Sequence, residues 1–149
     1  MNVKGSSMNP DTIFQIANAI ALAGWLVLLA SPFIPTISDR ISGFAIPLLL
    51  SIAYAGLIVT YFDQSDGGFD TLENVTKLFA KPEAVLAGWI HYLAFDLFVG
   101  SWEVRTARKE NIPFLAVIPC LVLTFLLGPA GFLAFIALRG ARAATSRPA

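Results

Sequence analysis

The sequence predicts an all-α, polytopic membrane protein with four transmembrane helices and a short interfacial amphipathic helix between the second and third. Three observations carry this. Of 149 residues, 56% are hydrophobic and 13% charged, and the mean hydropathy is +0.71. Soluble domains lie nearer about 45–50% apolar and about 25% charged. The apolar residues fall in long blocks separated by short polar stretches, and four blocks reach the roughly 20 residues that cross a bilayer.

The first block runs from about Ile13 to Ile34. Asn9 or Asp11 can cap its start, Pro10 sits in the first turn, and Pro32 and Pro35 mark its end. It is too long for the roughly 7–15-residue core of a signal peptide, so it is expected to be a retained span. The second block runs from about Ile41 to Phe62, the third from about Pro82 to Trp102, and the fourth from about Ile112 to Leu138. Pro119 and Gly128-Pro129 are expected to kink or break the fourth. Between the second and third, Asp66-Gly67-Gly68 signals a turn, and Asp70 with Glu73 resembles a capping box. Residues 71–80 then repeat apolar side chains at helical spacing, as a helix lying in the membrane interface does. Residues 1–8 are read as a disordered N-terminus or leader, 9–139 as the membrane domain and 140–149 as a disordered tail.

Four spans put both termini on one side. That side holds Lys4, Lys77, Lys81, Arg139, Arg142 and Arg147, against Arg40, Arg105, Arg108 and Lys109 on the other. The excess of basic residues that marks a cytoplasmic face is therefore slight.

The third block keeps the only histidine, His91, and an aspartate, Asp96, near its middle. A charge at the bilayer centre costs at least about 2.5–3.5 kcal/mol, so such residues are candidates for function. At about 100° per residue, Trp89, Tyr92, Asp96, Val99 and Glu103 share one helix face, while His91, Phe95, Phe98 and Trp102 share another. His91 and Asp96 point roughly 140° apart, so each should meet groups on other helices. Asn18, Tyr54 and Thr124 are the polar candidates there. Asp96 is expected as a neutral acid or donor and His91 as a neutral base. Glu103 and Arg105 read as a snorkelling pair at the span end.

The stretch from Leu78 to Arg105, with Trp89, His91, Ala94, Phe95, Asp96, Leu97 and Phe98 at its core, resembles the abscisic-acid-deficient-4-like (neoxanthin synthase-like) membrane proteins. Pro119, Cys120, Thr124, Phe125, Gly128, Pro129 and Gly131 carry the rest of the likeness, which covers about Ile13 to Leu138. The resemblance implies a small integral membrane protein of carotenoid or other isoprenoid metabolism. Without a plastid transit extension, a bacterial member in the inner (cytoplasmic) membrane is expected. An epoxide-to-allenic-alcohol isomerisation needs one base and one acid and no redox change. His91 and Asp96 are the expected catalytic pair, with Asn18, Tyr54, Tyr92, Phe95 and Thr124 as substrate-binding residues and no cofactor or metal.

Two other readings stand beside this one: a non-catalytic carotenoid- or lipid-binding or assembly protein, and a small transporter coupled to protons through Asp96. Membrane lipids are expected partners, and a homo-oligomer would bury more surface than four short helices alone. Zero net charge without a basic face argues against nucleic acid. No Walker loop, dinucleotide fingerprint or zinc-protease motif occurs. One His and one Cys exclude a multi-histidine metal site and an intrachain disulfide on counting alone.

Overall fold

The computed structural model describes residues 9–61 and 67–145. Six helices form there, and no strand is found among the described residues. Helix α1, Pro10–Leu29, begins at Asn9, whose side-chain Oδ1 accepts from the Asp11 N–H at 3.0 Å. Pro10 fills the first position, where its missing N–H costs nothing. Helix α2, Pro35–Tyr61, is long and apolar. It widens to a π-helix over Ile41–Ala45, just before Pro47. Proline clashes with the carbonyl four residues back and offers no N–H; the wider turn relieves both. Ser42 in that turn donates its hydroxyl to the Gly24 carbonyl of α1 at 2.7 Å.

Helix α3, Leu72–Leu78, matches the expected amphipathic segment, but its cap is Thr71. The Thr71 hydroxyl accepts from the Asn74 N–H, and Asp70 instead accepts from the Asn74 side chain at 2.9 Å. Asp70 is held below the usual carboxylate range by that Asn74 bond. Helix α4, Pro82–Lys109, starts with proline in its first turn, ends with Arg108 and Lys109, and is the centre of the molecule. One of its faces packs against α1 and α2 through Ala87, Ile90, Leu93 and Ala94. Another packs against the C-terminal helices through Leu97, Val104 and Ala107. Glycines let the helices close up: a Cβ on Gly100 would lie 2.6 Å from the Trp25 ring, and one on Gly43 2.6 Å from Ser101 Oγ.

The fourth expected span is two helices. Helix α5, Phe114–Leu127, ends at Gly128, which has φ +44°. Helix α6, Pro129–Thr145, then runs back along α5. Phe135 of α6 is fully buried against Ile112, Val117, Cys120 and Leu121. Arg139 reaches Glu110, the residue that caps α4 just before α5, with Nε donating to Oε2 at 2.8 Å and Nη2 to Oε1. The single crossing expected for 112–138 is therefore a helical hairpin. At 14 residues, α5 is about 21 Å long, short of the roughly 30 Å hydrocarbon core. The hairpin tip, Gly128, abuts Asp96, midway along α4.

This changes the expected sidedness. Arg108 pairs with Asp39 at 2.7 Å, which puts the start of α2 and the end of α4 at one end of the molecule. The hairpin opens at that same end, so the chain enters α1 at one end and leaves α6 at the other. Helix α6 also continues to Thr145, into the stretch expected to be tail. Residues 1–8 and 146–149, Phe62 at the end of the second expected span, and Asp66 of the expected turn lie outside the described residues.

Candidate functional site

Helix α4 divides the polar groups into two sites. The first is a pocket of about 540 Å³ between α2, α3 and the N-terminal half of α4. Tyr54, Leu57 and Tyr61 of α2, Phe79 after α3, and Ala84, Gly88 and His91 of α4 line it. Lys81 and Glu83 stand at its α4 end. Gly88 makes room for the Phe79 ring: a Cβ there would come 2.8 Å from its Cε1. His91 stacks on Phe95, with ring centroids 4.5 Å apart, and faces Tyr54 at 5.5 Å. The result is an apolar, aromatic chamber with an imidazole and two phenols in its wall, the make-up of a small-molecule site.

The second site lies on the other flank of α4, against the hairpin. Asp96 is 8% exposed and Glu103 wholly buried. Thr124 of α5 donates its hydroxyl to Glu103 Oε1 at 2.9 Å. Tyr92 donates to the Phe125 carbonyl at 3.2 Å. The hairpin needs its glycines here. A Cβ on Gly128 would sit 2.6 Å from Asp96 Oδ1, and one on Gly131 would fall inside the Thr124 backbone. Asp96 Oδ2 and Glu103 Oε2 are buried with no partner. Among the described residues no ion pair reaches either carboxyl.

The sequence-derived residues distribute between these sites. Tyr54 and His91 meet in the pocket, with Phe95 behind the imidazole and 54% exposed. Tyr92, Asp96 and Thr124 meet at the hairpin. Asn18 joins neither: it accepts from Trp89 Nε1 at 3.2 Å and donates to the Phe14 carbonyl. His91 and Asp96 are not brought together. Glu103 is not the exposed end-of-span residue expected; it is sealed in the core beside Thr124. The available signal was its place seven residues after Asp96, on the same face of α4.

Three helices long and apolar enough to cross a membrane, with a hairpin packed over two buried acids of α4, fit a helical protein of the integral-membrane class. The model of the family described as ABA DEFICIENT 4-like (ABA4-like) matches residues 12–135, and the chain belongs to that family. No curated protein and no solved structure matches it.

Proposed function

We propose that this protein binds the ring-bearing end of a carotenoid or related isoprenoid in the α2–α3–α4 pocket and isomerises an epoxide there to an allenic alcohol. Family membership supports the carotenoid-related setting. The observation that carries the reading is the pocket itself, an aromatic chamber with His91 and Tyr54 facing each other across 5.5 Å. His91 takes a proton from the polyene carbon next to the ring. The Tyr54 phenol gives a proton to the epoxide oxygen as its carbon–oxygen bond breaks. Proton return from the imidazolium to the phenolate restores both groups, so atoms and electrons balance without redox chemistry. Tyr54 takes the acid's part given to Asp96 by the sequence, because Asp96 faces the hairpin.

In the bilayer, α1, α2 and α4 cross, the α5–α6 hairpin dips in from one side, and α3 rests on the opposite surface. Arg40, Arg105, Arg108, Lys109, Arg139 and Arg142 then share the hairpin's side, against Lys77 and Lys81 on the other. The positive-inside rule places the hairpin's open end in the cytoplasm.

The test is incubation of the protein in lipid nanodiscs with an epoxy-carotenoid, followed by chromatography and mass spectrometry. A product of unchanged mass and altered spectrum is expected, lost by about 10²-fold or more in His91→Ala. Pigment that binds equally to wild type and His91→Ala, with no product from either, identifies a binding protein and sinks the isomerase.

A further inference from the structure

The pocket chemistry leaves the hairpin acids unused. Each is buried with one carboxyl oxygen unpartnered, a setting that disfavours the charged form. A phenol has one proton, and that of Tyr92 lies on the Phe125 carbonyl. Tyr92 therefore brings no donor to the Asp96 carboxyl, whose Oδ2 has no partner. The end of α5 points the same way. Its last carbonyls lack intrahelical donors and form the negative end of the helix. Gly128 N–H satisfies the Thr124 carbonyl, and Tyr92 satisfies Phe125. Pro129 has no N–H to offer. An anionic carboxyl is repelled there, whereas a neutral one is not.

Among the described residues no ion pair reaches Asp96 or Glu103, and the Arg105 guanidinium of α4 lies against Gly43 of α2. From α1 comes the Trp25 ring, from α5 Cys120 and Thr124, and from α6 Gly131 and Phe135. The nearest basic group of α6, Arg139, is engaged with Glu110. A divalent cation of the hard type needs six or more oxygens. The described residues hold no cluster of three His, Cys, Asp or Glu side chains.

We propose that Asp96 and Glu103 form an intramembrane proton-binding site that locks the hairpin tip against α4. Each unpartnered oxygen, Asp96 Oδ2 and Glu103 Oε2, marks where a proton is carried. Losing those protons leaves two buried, unpaired negative charges against the hairpin, with Asp96 beside the negative end of α5. The tip, Gly128, then separates from Asp96. Seating and release of the hairpin are thereby coupled to proton uptake and loss.

Infrared spectroscopy of the full chain in lipid nanodiscs tests this, in H₂O and D₂O and across a rising pH series. At neutral pH two carbonyl-stretch bands of protonated carboxylic acids are expected, one lost in Asp96→Asn and the other in Glu103→Gln. In the wild type both fade as pH rises, while hydrogen exchange at residues 125–131 accelerates. The wild-type series decides the matter even if a variant does not fold. Absence of both bands at neutral pH overturns the proposal. So does their appearance only after sodium, potassium or calcium is removed, which identifies a cation site. Bands that fade while exchange at 125–131 stays constant overturn the lock.

Discussion

The two flanks of α4 use the same helix for opposite ends. On the α2–α3 flank the side chains leave a chamber, and His91 is exposed to it. On the hairpin flank they pack closely, and Asp96 and Glu103 are buried under a glycine-tipped turn. A polar group beside an opening is free to meet a ligand. One sealed in the core must meet its needs from neighbours or from protons.

That contrast predicts where substitutions act. The largest structural effect is expected from Gly128→Ala. The positive φ strains any L side chain by about 1–3 kcal/mol, and the new methyl displaces Asp96 as well. Gly56→Ala is the control: a Cβ there meets nothing within 4 Å, and stability should rise by up to about 1 kcal/mol. Thermal unfolding in detergent compares the two, and an equal response contradicts a tight hairpin tip. Next comes Thr124→Val, which strips Glu103 of its donor and should cost about 1–3 kcal/mol while leaving ligand binding intact. His91→Ala should do the reverse, abolishing turnover with little change in unfolding temperature. If His91→Ala destabilises the protein as much as Thr124→Val, the division between flanks is wrong.

The smallest effect belongs to the hairpin's open end. Arg139 holds the Glu110 carboxyl below its ordinary value of 4.5. A lowered carboxylate value means that the folded state favours the ionised form. Its contribution is therefore present above about 4.5 and is lost as pH falls through the lower folded value. Glu110→Gln should flatten that acid limb of the stability curve slightly, and an unchanged limb shows that the pair contributes nothing.

Much of this was legible in the sequence. The three long spans follow from apolar length, and the 100° rule put Tyr92, Asp96 and Glu103 on one face and His91 with Phe95 on another. The hairpin was harder to see. An apolar run over 112–138 fits a bilayer in one pass as well as it fits a half-depth return. The Gly128-Pro129 break argues for a kink without fixing its angle. Contacts between the arms distinguish the two, among them the packing of Phe135 and the pairing of Arg139 with Glu110, which joins residues 29 apart. The burial of Glu103 was hidden for the same reason, since its sealing partner, Thr124, lies on the first arm of the hairpin, 21 residues away.

The half-depth hairpin also bears on the lipid around the protein. In the arrangement proposed for the bilayer, three helices occupy one leaflet and five the other. Such a molecule is a wedge, wider on its arginine-rich side, and displaces more lipid from that leaflet than from the one opposite. A flat bilayer must bend or redistribute lipid around such a shape. The protein should partition toward membrane whose curvature relieves that mismatch.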